Sequence, residues 1–271
     1  MAMKFKSIAT IGALISVLAL AGCGQEEKNP NHIKVGVIVG AEQQVAEVAQ
    51  KVAKDKYGLD VELVTFNDYV LPNEALSKGD IDLNAFQHKP YLDQQIKDRG
   101  YKLVAVGNSF VYPIAGYSKK IKSLDELQNG AQIALPNDPT NLGRSLLLLQ
   151  KVGLVKLKDN VGLLPTILDV TENAKNLKLV ELEAPQLPRS LDDAQIALAI
   201  INTTYASQIN LTPAKDGIFV EEKDSPYVNL LVSREDNKDA ENVKKFVQAY
   251  QSDDVNEAAN KIFNGGAVKG W

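Results

Sequence analysis

The hydrophobic positions of this chain switch repeatedly between a strand period of about 2 and a helix period of about 3.6. His32 to Val39 alternates and is β-branched, which predicts a first strand ending at Gly40. Val45, Val48, Ala49, Val52 and Ala53 then share one face of a helix running from Ala41 to Tyr57, stopped by Gly58. Asp60 to Phe66 reads as a second strand, Asn67-Asp68-Tyr69 as a loop, and Pro72 to Gly79 as a short helix with its stop. Ile81 to Phe86 is a third strand, breaking at Gln87-His88 into a helix from Pro90 to Asp98. The βαβαβα order is the signature of a mainly parallel sheet, whose strand ends are where ligands bind. Phe86, His88 and Tyr91 stand at such an end without an acid–base pair or cysteine beside them, which suits binding better than catalysis.

A second series follows. Lys102 to Tyr117 is a long apolar stretch, interrupted by Gly107-Asn108 and Pro113, that feeds a crossover near Tyr112-Pro113. Ser123 is positioned to cap a helix over Leu124 to Gln128, with Glu126 in the capping-box place. After a strand from Gln132 to Leu135, Asp138 as N-cap and Pro139 at the first helical position predict a sharp turn into a helix buried through Leu146 to Leu149 and Val152. Leu177 to Leu182 and Ala194 to Ile201 are strands, the second apolar enough to be central. Tyr227 to Ser233 returns to the first series, completed by helices over Ala240 to Gln251 and Val255 to Phe263. The expected fold class is α/β with two lobes, each a mixed sheet flanked by helices. Lobe 1 takes residues 32–112 plus 227–271 and lobe 2 takes 113–226.

The N-terminus adds a compartment. Lys4 and Lys6 precede an apolar run, Ile8 to Leu20, too short to span a bilayer comfortably, as in a secretory signal of residues 1–22. It ends in Leu20-Ala21-Gly22-Cys23, which is similar to a bacterial lipobox, followed by a polar tether over residues 23–31. Cys23 is the single cysteine, so lipidation there leaves no thiol to pair wrongly in an oxidising compartment. The competing reading is an ordinary signal peptide with an incidental cysteine. The net charge is −4, which argues against a nucleic-acid partner. Two histidines and one cysteine leave little material for a transition-metal site, and no cofactor is expected.

Several stretches in this order carry a resemblance to a known family. They are the lipobox, Asn84-Ala85-Phe86-Gln87-His88, Asn137-Asp138-Pro139-Thr140-Asn141-Leu142-Gly143-Arg144, Asn202-Thr203-Thr204-Tyr205-Ala206-Ser207 and Phe263-Asn264-Gly265-Gly266. Together they resemble the MetQ/NlpA family of substrate-binding lipoproteins of methionine import, over essentially the whole chain. The resemblance implies a type II periplasmic-binding-protein-like fold with the ligand in the inter-lobe cleft. It implies a non-catalytic receptor for L-methionine, with the D-enantiomer left open. The partners implied are an ABC permease with its ATPase, and a membrane held through the lipid on Cys23 at its periplasmic face. The implied substrate-binding residues are Tyr69, Phe86, His88, Tyr91, Arg144, Asn202 and Asn229. Arg144 would take the ligand carboxylate as a fork, Asn202 and Asn229 its polar backbone, and the aromatics its thioether.

Bland readings stand beside these. Phe86 could be core, Arg144 could pair with Asp138, and the asparagines could form turns. Lys119-Lys120 and Glu221-Glu222 read as solvated faces, and His32 as exposed and idle. An imidazole at His88 changing charge near neutrality would make binding pH-dependent. Rival functions are a receptor for another small amino acid or peptide, an enzyme using Asp80, Asp82 or His88, and a partner-binding surface lipoprotein.

Overall fold

The computed structural model describes residues 29–271, so the leader and Cys23 lie outside the described residues. In chain order the elements are β1 (His32–Ile38), α1 (Ala41–Tyr57), β2 (Asp60–Phe66), α2 (Leu71–Lys78), β3 (Leu83–His88), α3 (Lys89–Arg99) and β4 (Leu103–Val111). Then come β5 (Ala115–Tyr117), β6 (Gln132–Pro136), α4 (Pro139–Lys151), β7 (Lys156–Leu157), β8 (Val170–Glu172), β9 (Lys178–Leu182) and α5 (Leu187–Ser190). The remainder is β10 (Ile196–Ile201), α6 (Thr203–Gln208), α7 (Pro213–Asp216), β11 (Phe219–Val220), β12 (Val228–Arg234), α8 (Glu241–Tyr250), α9 (Asp253–Ile262) and β13 (Val268–Lys269).

Two large mixed sheets organise these elements, beside a small antiparallel pair of β7 and β8. The first runs β13-β4-β12-β3-β1-β2, with β1 parallel to β2 and β3, and β12 antiparallel to β3 and β4. Its core gathers Ile33, Val35 and Val37 with Val45, Ala49 and Ala53 of α1 and Val243 and Phe246 of α8. The second sheet runs β11-β5-β10-β6-β9, with apolar β10 in its middle and Ile133, Leu135, Leu146 and Leu149 in its core. The apolar stretch from Lys102 is therefore not one strand. β4 belongs to the first sheet and β5 to the second, and Pro113, which has no N–H to give a ladder, lies between them.

Other expectations shift by a few residues for identifiable reasons. The third strand begins at Leu83 and extends to His88, two residues later than the apolar pattern suggests. Ile81 is buried beneath the sheet, and its carbonyl accepts from Arg234 rather than from a ladder partner. Leu124–Glu126 is a single 3-10 turn without a Ser123 side-chain cap, and the Glu126 carboxylate instead accepts from the Lys122 amide at 3.1 Å. His32 is not idle, since its Nδ1 lies 3.0 Å from Asp60 Oδ2 and its Nε2 3.5 Å from Glu62 Oε2.

Helix α6 is fastened to the first-sheet half at three points. The Thr204 hydroxyl donates to Glu42, the Tyr205 hydroxyl to the Asn67 carbonyl at 3.3 Å, and Gln208 Nε2 to the Val39 carbonyl at 2.9 Å. Glu42, in the first turn of α1, is 1% exposed, and its Oε2 has no hydrogen-bond partner among the described residues. Burial penalises its charged form and, against the Thr204 hydrogen bond, raises its pKa from 4.5 to about 8. An unfolded chain gives up this proton near pH 4.5 while the folded chain keeps it. The stability this site contributes is thus complete below that pH and is lost as pH rises through about 8. Glu42→Gln keeps an acceptor for Thr204 and removes the titration. Urea unfolding at pH 5 and pH 9 is expected to show the variant gaining on the native chain as pH rises; parallel pH profiles would refute this.

Candidate ligand-binding cleft

Where β3 ends, the chain turns directly into α3, and His88 is the hinge of that turn. Its Nδ1 accepts the Tyr91 amide at 3.1 Å and so caps α3, which fixes the remaining ring proton on Nε2. Nε2 points at Asn141 Oδ1, 3.3 Å away at the start of α4. Desolvation, reinforced by the Arg144 charge and opposed by the Asn141 contact, lowers the His88 pKa to about 3. The imidazole is therefore neutral at physiological pH, so the condition for a pH-dependent role near neutrality is not met.

Around this turn lies a narrow cavity with room of about 20 Å³, well below the ~300–1,000 Å³ typical of open ligand sites. The seven residues singled out from sequence, Tyr69, Phe86, His88, Tyr91, Arg144, Asn202 and Asn229, all line it. The first sheet supplies an aromatic end. Tyr69 stacks on Phe86 at 5.8 Å between centroids, Tyr91 meets Phe86 edge-on at 6.0 Å, and the Tyr91 hydroxyl donates to the Tyr69 carbonyl at 2.8 Å. Tyr205 of α6 closes against Tyr69 at 4.9 Å from the second-sheet side. Behind β3, Asn73, Asn84 and Gln87 bond to one another through buried amides and tie the strand to α2. Asn84 and Gln87 are three positions apart and still meet, where the register of β3 against β12 shifts between Ala85 and His88.

The opposite end is polar and ordered by Asn141, which the sequence reading passed over. The amide nitrogen of Asn141 donates to both Asp138 oxygens, at 3.1 and 2.9 Å, which turns its Oδ1 toward His88 and Asn202. Asn202 Nδ2 donates to that oxygen at 2.8 Å, leaving Asn202 Oδ1 buried without a partner. Asn229, paired across the ladder with His88, donates to the Phe86 carbonyl at 3.0 Å. The spacing of Asn141 and Arg144, three apart on one helical face, was the available signal for Asn141.

Arg144 is 3% exposed and does not pair with Asp138. Its Nε donates to Glu221 Oε1 at 2.9 Å, its Nη2 to Glu221 Oε2, and Nη2 again to the Tyr112 carbonyl at 3.0 Å. The guanidinium carbon also sits 4.4 Å over the Tyr227 ring. Glu221, expected as part of a solvated face, is instead a half-buried ion-pair partner, and no local pattern reveals it because 77 residues separate the two. Gly143 precedes Arg144 because a Cβ there would stand 2.5 Å from the Leu163 carbonyl, so the neighbouring loop can press against α4. Among the described residues no cluster of three His, Cys, Asp or Glu could hold a metal ion, and no helix is long and apolar enough to cross a membrane.

With this geometry in place, similarity to known proteins is informative. The family model described as NlpA lipoprotein matches residues 33–271. The D-methionine-binding lipoprotein MetQ of Escherichia coli strain K12 is 88% identical over 271 residues, covering all of both chains. A crystal structure of the methionine binding protein MetQ superposes with a TM-score of 0.89 at 90% identity, over 90% of this chain and 99% of the other. A nutrient binding protein from Burkholderia cenocepacia, solved bound to methionine, superposes with a TM-score of 0.85 at 52% identity, over 88% of this chain and all of the other. This chain is a member of the NlpA lipoprotein family.

Proposed function

We propose that this protein is an extracytoplasmic receptor, lipid-anchored through Cys23, that binds methionine and hands it to an ATP-driven permease. The observation that carries the reading is the division of one cavity into an aromatic end and a polar end. Two lobes, residues 32–112 with 227–271 and residues 113–226, close on the ligand, and the closed form signals occupancy to the permease. Tyr69, Phe86 and Tyr91 surround the thioether, where sulfur–aromatic contacts contribute about 0.3–1.5 kcal/mol beyond burial. Nη1 of Arg144, which makes no hydrogen bond among the described residues, takes the carboxylate, while Asn202 Oδ1, without a partner among the described residues, accepts from the ammonium. Asn229 and His88 complete the polar end. The names of the relatives and the methionine-bound neighbour support this ligand class.

A protein starting at Gly24, unfolded and refolded to remove any retained ligand, is expected to bind methionine in calorimetry more tightly than other small amino acids or dipeptides. A ligand that outcompetes methionine would overturn the assignment. Asn202→Ala removes the ammonium acceptor and is expected to weaken methionine by about 1.5–3 kcal/mol, as for a hydrogen bond to a charged group. A charged imidazole beside the ligand ammonium would repel it, so His88 must stay neutral. Nitrogen-15 spectra of a His32→Gln variant are expected to show one neutral ring protonated on Nε2 from pH 8 to pH 5. A protonation midpoint between 6 and 7 would contradict it.

A further inference from the structure

Among the described residues, Arg144 is the only one lining the cleft that carries a full charge, since the other walls are aromatic, amide or hydroxyl groups and a neutral His88. A lone buried guanidinium would make the cavity cationic, favouring a ligand that bears a carboxylate alone and repelling one that also bears an ammonium. Glu221 removes that bias from behind. Its carboxylate forks onto Nε and Nη2 of the guanidinium, and its own side chain is 13% exposed. The fork is held rigidly, because the Glu221 amide donates to the Ile114 carbonyl at 2.9 Å and Oε2 lies 3.4 Å from the Ile114 amide. The pair is neutral overall, with only Nη1 left for a ligand.

We infer that Glu221, which does not line the cleft, is a specificity-determining residue that makes the site accept a zwitterionic amino acid rather than the corresponding 2-hydroxy or 2-oxo acid. The inference rests on the proposal that this cavity binds methionine. Methionine and 2-hydroxy-4-(methylthio)butanoate share the carboxylate and the thioether side chain and differ in the ammonium, so the ratio of their affinities isolates charge. Any general damage to Arg144 positioning weakens both ligands and cancels in the ratio.

The experiment is calorimetry of both ligands with the native protein, Glu221→Gln and Glu221→Asp. The native protein is expected to prefer methionine. Glu221→Gln, leaving the arginine charge uncompensated, is expected to shift the ratio toward the hydroxy acid by roughly ten- to a hundredfold, the size of one charge acting across several Å in a partly dry site. Glu221→Asp keeps the charge and is expected to keep the native ratio. An unchanged ratio in Glu221→Gln would reduce Glu221 to a structural support. If Glu221→Gln does not fold, Glu221→Ala, which also removes the charge, takes its place: a ratio shifted toward the hydroxy acid supports the charge role, and an unchanged ratio overturns it. Failure of the native protein to bind methionine would instead sink the functional reading, which keeps the two failures distinct.

Discussion

The Arg144–Glu221 ion pair is the constraint on which the rest of the cleft depends. Arg144 rises from α4, and its partners come from both chain segments that pass between the sheets: Tyr112 on the outward passage, Glu221 and Tyr227 on the return. A single guanidinium therefore gathers α4 and both crossings at the point where the cavity opens. The value of such a pair lies less in net stability, since desolvation offsets much of the attraction, than in the severe cost of leaving either charge alone. That cost enforces the side-on position of the guanidinium and leaves one nitrogen for the cavity.

The polar end is preorganised by a second chain of constraints. Asp138 caps α4 and also grips the Asn141 side chain, so one carboxylate sets both the helix start and the direction of an amide. Asn141 Oδ1 then fixes Asn202 and faces the His88 ring, whose other nitrogen is spent capping α3. The N-termini of α3, α4 and α6 thus meet through side chains with their orientations already chosen. A ligand entering there meets fixed dipoles, which lowers the ordering cost of binding.

The contact between the halves at the wall of the cleft, where Thr204 lines the cavity, has a different character. Glu42 meets Thr204 in a dry environment, where the acid rather than the carboxylate is the stable form. Its position at the start of α1 and the position of Thr204 at the start of α6 place it directly behind the Asn202 turn. Packing at this seam therefore carries a proton as well as a hydrogen bond.

Local chemistry in the sequence determined most elements and the turns that hold the cleft residues. Asp138-Pro139 sets the start of α4, glycines at 58 and 79 end their helices in the left-handed region, and apolar β10 lies in the middle of its sheet. The family resemblance, carried by ordered motifs, reached seven residues that line one cavity. Tertiary structure alone decided what those motifs could not contain. Ile81 is apolar because it is buried, not because it joins the ladder, and periodicity does not separate the two. The partner of Arg144 lies 77 residues away, so a Glu-Glu pair with every mark of a solvated face becomes the counter-charge of the cleft. The charge state of His88 and Glu42 was equally out of reach, because desolvation is set by everything packed around a group and by nothing in its neighbours along the chain.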